Sequence, residues 1–311
     1  MKKKQPFGAD LKEKLQASAR DRVHKFLLAD NTVRGAFING TRMVNEMRAN
    51  FGYGILETLI SGHAYLAAGL LSANLKGNDR VALDINCSGP VKGLSVEVNS
   101  FGEVRGYLKN YPIPLDKPLE DFDMSKFFGN GLIKITKYLE DLKQPYTGQT
   151  ILQYGNIAED LAYYFFTSEQ TPTVFNLSVQ FDNDGNVTGA GGLFLQAMPG
   201  ASEATLEQLE NIISKLESPG ALMAENQEPG EIIETSFKEL GPKVLDSYRI
   251  EFFCRCSDKT IGNYIQMLPV EDLAEIAQNG PFPVVTTCHN CNTEYHFSKE
   301  DIQIMAGRRF N

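Results

Sequence analysis

The chain has 311 residues, of which 42% are hydrophobic and 22% charged, and its formal net charge is −9. That length exceeds a typical single domain and predicts two or three units, at least one with a sizeable core. The acidic balance excludes a broad phosphate-binding face, which needs Lys and Arg in clear excess, so no nucleic-acid partner is expected.

Met1-Lys2-Lys3-Lys4 reads as a solvated basic start rather than a binding patch. Gln5-Pro6-Phe7-Gly8-Ala9-Asp10 is polar and broken, so no secretory signal is expected. Leu11, Leu15, Val23, Phe26 and Leu27 are spaced like one helix face, which predicts a helix over residues 10–29 that stops at Asp30-Asn31. Val33 to Ile38 reads as a strand, with a second helix from about Thr41. The longest apolar stretch, Gly54 to Leu75, contains Glu57, Ser61, His63 and Ser72, so it is a core helix and no membrane partner is expected. His63 reads as a satisfied core histidine.

From Asp79 the period changes to alternation. Val81, Leu83 and Ile85, then Leu94, Val96 and Val98, then Val104 and Tyr107 predict an antiparallel meander with turns at Ser88-Gly89-Pro90 and Asn99-Ser100-Phe101-Gly102. Cys87 ends the first of these strands and is assigned no role. Gly129-Asn130-Gly131 is a turn before the strand Leu132 to Thr136; it lacks the other glycines of a dinucleotide fingerprint and the Gly-Lys-Ser/Thr of a phosphate loop. Asn156 caps a helix that Thr171-Pro172 ends, and Phe175 to Phe181 leads through Asn183-Asp184-Gly185 to a return strand, Gly189 to Gln196. Its glycines let another segment approach closely.

Residues 201–250 carry ten acidic and four basic side chains, two-thirds of the whole net charge. Leu206, Leu209, Ile212, Ile213 and Leu216 make an amphipathic helix, with Thr205-x-x-Gln208 as its capping box. Ser218-Pro219-Gly220 stops it, and Glu228-Pro229-Gly230 separates it from a second short helix. A charged segment punctuated in this way, with an apolar stripe that must dock somewhere, is a candidate releasable linker.

Four cysteines follow in two close pairs: Cys254 and Cys256 as C-x-C, then Cys288 and Cys291 as C-x-x-C after 31 intervening residues, 257 to 287. Four thiolates satisfy the tetrahedral preference of Zn²⁺, so these four residues are the expected metal ligands and one zinc per chain the expected cofactor. Val284 to Thr287 and Glu294 to Phe297 flank the second pair as short strands, the form of a zinc knuckle. Ser257-Asp258 caps one short helix in the intervening loop, and another runs from Pro269 to Asn279-Gly280. These hold too few apolar residues for a core of their own. Structural zinc contributes roughly 10–16 kcal/mol to small domains that are unfolded without it.

Should the metal be lost, each pair can close on itself. Four cysteines allow three connectivities, and only 254–256 with 288–291 needs no long-range contact. Thiolates are also the oxidisable form of cysteine. In a chain without an export signal, this cysteine usage points to a reducing cytoplasm and to metal or redox chemistry rather than a disulfide framework.

Besides a peroxide or hypochlorite sensor, a static module and an enzyme of either of two kinds compete. A static zinc-stapled binding module keeps its metal under peroxide. A thiol-disulfide oxidoreductase needs a free thiol of low pKa. A zinc deaminase needs H-x-E and an open metal position, which four thiolates close and His63-Ala64-Tyr65 does not supply.

The C-x-C with a distant C-x-x-C resembles the redox-regulated bacterial chaperones of the heat shock protein 33 family. Val33-Arg34-Gly35, Gly89-Pro90-Val91-Lys92-Gly93, Gly102-Glu103-Val104-Arg105-Gly106-Tyr107, Tyr164 to Gln170 and Gln196-Ala197-Met198-Pro199-Gly200 extend the likeness along the chain. The N-terminus runs longer than the family pattern. The resemblance implies a cytoplasmic, ATP-independent holdase rather than an enzyme: quiescent when reduced and zinc-bound, and activated when Cys254–Cys256 and Cys288–Cys291 disulfides form and zinc leaves. It further implies unfolded client proteins as partners and a homodimer on activation.

The expected fold is α+β: a core domain of mixed or antiparallel sheet packed with helices over 1–200, an acidic helical linker over 201–250, and a small Cys₄ zinc-binding switch domain over 251–311.

Overall fold

The computed structural model describes residues 1–4, 21–115 and 123–310. In chain order it has β1 (Arg22–Leu28), β2 (Val33–Asn39), α1 (Thr41–Phe51), α2 (Ile55–Leu71), β3 (Arg80–Cys87), β4 (Gly93–Asn99) and β5 (Glu103–Leu108). Then come α3 (Ser125–Phe128), β6 (Gly131–Tyr138), β7 (Tyr146–Ile151), α4 (Ile157–Ser168), β8 (Thr173–Phe181) and β9 (Val187–Ala197). The acidic segment holds α5 (Glu203–Ile213), α6 (Pro219–Ala224), α7 (Pro229–Ser236) and β10 (Lys243–Arg249). The last part is β11 (Glu251–Phe252), α8 (Asp258–Gln266), α9 (Val270–Asn279), β12 (Val284–Thr287), β13 (Glu294–Phe297) and α10 (Lys299–Phe310).

A helix that is apolar on every side needs cover on every side. Each residue of α2 from Leu56 to Leu71 is buried, because the helix lies between two sheets and touches both. One has the order β10-β1-β2-β9-β8; the other has the order β11-β5-β4-β3-β6-β7. The predicted meander is the β3-β4-β5 part of the second sheet, antiparallel throughout. Its far edge is β11, which runs parallel to β5 through the pairs Glu251↔Glu103 and Phe252↔Val104, so the architecture is the expected α+β with a mixed sheet. β10 and β11 are separated by Ile250 alone, yet they edge different sheets.

The other face of the five-stranded sheet carries a second apolar layer. Phe26, Leu28, Val33, Phe37, Leu193 and Leu195 from the strands meet Leu209, Leu222, Met223, Ile232, Ile233, Phe237 and Leu240 from the acidic segment. The apolar stripe of residues 201–240 therefore docks on this sheet. Glycine makes the closest contact: a Cβ on Gly189 of β9 would lie 2.1 Å from the Gly220 carbonyl oxygen, and one on Gly191 would lie 2.6 Å from that of Pro219. The close approach expected of the glycine-rich strand is made by the start of α6.

Several local expectations are corrected. Residues 22–28 are strand β1, not helix; residues 10–20 lie outside the described residues. Strand alternation sends Val23 to the core around α2, and Phe26 and Leu28 to the layer under the acidic segment. A strand buried on both faces shows apolar residues three apart and so imitates a helix. Ser202 rather than Thr205 caps α5, accepting from the Thr205 amide (3.1 Å). Ser218 does not merely stop that helix; it caps α6, with Pro219 in the first turn. The acidic segment thus has three short helices and ends in a strand. Asn156 caps α4 as expected, accepting from the Ala158 and Glu159 amides.

Candidate metal centre

The first cysteine pair hangs from the edge of the six-stranded sheet. Phe252 is fully buried beside the rings of Phe51 and Tyr65. The Phe253 amide donates to the Val104 carbonyl (2.9 Å), which continues the parallel pairing up to Cys254. Arg255, between the cysteines, points outward and makes a two-bond contact with Glu103 (2.7 and 3.0 Å).

The second pair sits on the turn of the β12–β13 hairpin. The Cys288 amide donates to the Thr293 carbonyl (2.9 Å), and the amides of Cys291 and Asn292 both donate to the Cys288 carbonyl (3.2 and 2.7 Å). Asn292 takes the left-handed backbone at φ 53°, a conformation Asn tolerates better than most residues. Its side chain donates to the Asn50 carbonyl (3.0 Å).

Folding brings all four sulfurs within 4.8 Å of one another. Cys254 Sγ lies 3.9 Å from Cys288 Sγ, and Cys256 Sγ lies 3.4 Å from Cys291 Sγ. Sulfurs about 2.3 Å from a central Zn²⁺ stand about 3.8 Å apart at the corners of a tetrahedron. The four residues fit that ion in donor type, number and spacing. Their surroundings also suit thiolate at the first pair: Tyr295 Oη donates to Cys256 Sγ (3.0 Å) and Arg105 Nη1 donates to Cys254 Sγ (3.8 Å), while the Cys291 thiol donates to Thr293 Oγ1 (3.2 Å). Arg105 is itself held by Glu97 (2.9 Å).

Without a cation the cluster cannot ionise evenly. Hydrogen bonds from the Cys288 and Cys291 thiols hold Cys254 well below the ordinary thiol range, and the same sharing pushes Cys288 up to about 11 and Cys291 further up. Burial, with the neighbouring Cys256 sulfur, raises the Tyr295 phenol, so it remains a donor. A bound dication relieves this mutual repulsion, so metal and thiolate stabilise each other.

The centre is keyed to the core. Asn50 Nδ2 at the end of α1 donates to the Cys291 carbonyl (2.5 Å). The Gly106 amide of β5 donates to the Asn290 carbonyl (3.1 Å), and the His289 ring stands edge-on to Tyr107 at 4.6 Å. Helices α8, α9 and α10 close the far side with Ile265, Leu273, Ala277, Ile302 and Ala306, packed with Tyr295 and Phe297.

Residues 21–298 match the family described as Hsp33 protein. The chain belongs to the Hsp33 family. It is 35% identical over 290 residues to the 33 kDa chaperonin of Desulforamulus reducens, covering 93% of this chain and 98% of that one. The 33 kDa chaperonin of Ruminiclostridium cellulolyticum is 34% identical over 287 residues, 91% and 97% of the two chains. Among solved structures, the Thermotoga maritima Hsp33 homologue superposes with a TM-score of 0.84 at 29% identity, over 94% of this chain and 99% of that one.

Against this Hsp33 frame, all four cysteines named from the sequence converge, while Cys87 stays apart, free and half-buried at the end of β3. His63 is buried as expected but not satisfied: its Nδ1 has no hydrogen-bond partner among the described residues. Tyr295 and Thr293 follow the C-x-x-C at fixed short offsets, so the sequence carries a signal for them. Asn50, Arg105 and Gly106 come from distant elements, and no spacing rule points to them.

Proposed function

We propose that this Hsp33-family chain is a holdase chaperone whose binding of unfolded clients is switched by thiol oxidation. The observation that carries the proposal is the convergence of the four sulfurs from two motifs on opposite sides of a helical loop. In the reduced form one Zn²⁺ held by Cys254, Cys256, Cys288 and Cys291 ties the switch region, residues 251–311, to itself. Two thiolates give two electrons to one peroxide, which takes two protons from solvent and leaves as two waters, and a disulfide remains. Closing Cys254–Cys256 and Cys288–Cys291 in this way leaves no thiolate for the metal and no link between the pairs. Loss of that link loosens residues 251–311, and the acidic linker, 201–250, then lifts from the apolar layer it covers. The exposed surface holds clients in the cytoplasm without catalytic turnover, and the activated form is a homodimer.

Suppression of aggregation of a chemically unfolded client tests this directly. The peroxide-treated protein should protect and the zinc-bound reduced protein should not; equal protection by both sinks the switch. Disulfide mapping adds a second test, because the shortest sulfur contacts above run between the pairs. Bridges 254–288 and 256–291 would preserve the long-range tie and overturn the mechanism.

A static staple is the second reading, favoured by the bonds from Asn50 and Gly106 to the knuckle. Zinc retained through peroxide treatment selects it.

A further inference from the structure

Three consecutive lysines at the start of a chain suggest a solvated end, yet residues 1–4 lie across the cysteine centre. The Met1 nitrogen donates to the Cys256 carbonyl (2.7 Å), and Met1 Sδ accepts from the Cys254 amide (3.0 Å). Thr293 Oγ1 also reaches the Lys2 carbonyl (3.3 Å), and the Lys2 ammonium stands 5.7 Å from the centre of the Tyr295 ring. Lys3 Nζ bridges Glu46 of α1 (2.6 Å) and Glu251 of β11 (3.5 Å). The Lys4 amide donates to Asn50 Oδ1 (2.7 Å).

These contacts share a pattern. They bind the C-x-C loop, the strand after the C-x-x-C, and the core helix α1. Thr293, Tyr295 and Asn50, which they engage, are the residues that also hold Cys291 or Cys256. The family match begins only at residue 21, so the segment lies upstream of it.

We propose that residues 1–4 form a strap that clamps the cysteine centre onto the core and raises the oxidant level at which it opens. The strap covers the backbone of both C-x-C cysteines. It also links through Lys3 two acidic groups, one on each side of the joint between core and switch region. Opening the centre requires these contacts to break together with the metal site, so they slow opening without taking part in the chemistry. This inference rests on the reading that the four cysteines hold zinc.

The test compares the intact chain with a chain lacking residues 2–20 and with the Lys3→Glu variant, which places a third carboxylate beside Glu46 and Glu251. Lys143→Glu, at an exposed position far along the sequence, is the charge control. Zinc content is measured first, then zinc transfer to a chromogenic chelator under peroxide, then thiol alkylation by iodoacetamide. Truncation leaves the family-matched segment complete, and the point variant serves should the truncated chain fail to fold. Both variants should release zinc and alkylate roughly tenfold faster than the intact chain, the effect of losing about one net hydrogen-bonded ion pair's worth of restraint. Lys143→Glu should match the intact chain. An intact chain without zinc refutes the metal reading. Equal alkylation rates for intact, truncated and Lys3→Glu chains refute the strap, whatever the metal content.

Discussion

Gly189→Ala should open the linker without any oxidant. The added Cβ would meet only backbone: the Gly220 oxygen at 2.1 Å, the Ala224 nitrogen at 2.5 Å and the Ala224 Cα at 2.9 Å. No rotamer change relieves such a clash. An ordinary contact needs about 3.4 Å, so α6 must retreat by roughly 1.3 Å and pull Leu222 and Met223 from the layer they fill. Overpacking of this kind costs about 1–3 kcal/mol. At about 1.4 kcal/mol per factor of ten, the undocked population rises roughly 5- to 150-fold. The strand itself tolerates alanine, so the cost falls on the docked state alone. Limited proteolysis of reduced, zinc-loaded protein should show faster cleavage between residues 201 and 242, and the same sample should suppress client aggregation in part. Gly230→Ala is the control, since nothing lies within 4 Å of its added Cβ. Unchanged cleavage and no protection by reduced Gly189→Ala would refute the claim that a glycine contact holds the linker down.

Three further outcomes are expected. Burial lowers the His63 pKa from 6.5 to about 4. Below pH 6.5 the unfolded chain therefore takes up a proton that the folded chain refuses, and stability falls by up to roughly 3 kcal/mol as pH drops from 6.5 toward 4; His63→Leu should flatten that limb in denaturant titrations across pH. Tyr295→Phe removes a donor to Cys256 Sγ and should speed zinc transfer to a chelator by a few-fold, in keeping with about 0.5–1.5 kcal/mol for one hydrogen bond; an unchanged rate means the phenol does not hold the thiolate. Asn50→Ala leaves the buried Cys291 carbonyl without that donor and should cost about 1–3 kcal/mol, read as faster amide exchange in β12 and β13 at fixed zinc.

The cysteine motif, the meander, the two knuckle strands and the Asn156 cap are legible in the sequence because each rests on local rules: alternation, turn residues, cap chemistry and ligand spacing. β1 is misread because its two apolar faces serve different layers, and nothing in a seven-residue window reveals a second layer supplied from about 200 residues later. β7 escapes notice because it is an exposed edge whose Thr147, Gly148, Gln149 and Thr150 offer little apolar pattern. The basic start reads as solvent-exposed because charge alone cannot show that Glu46 and Glu251 converge on it. Local chemistry is written along the chain, whereas which surfaces meet is decided by tertiary packing.

The stretch from Lys243 to Phe252 works as a seam, stitching the free margin of one sheet and, one residue later, the free margin of the other. Ripping it would bare the outer amides and carbonyls of β1 and β5 together. Such margins accept any extended polypeptide through its main chain, without regard to side-chain identity. Unzipping this one ribbon would therefore leave two main-chain edges open at once.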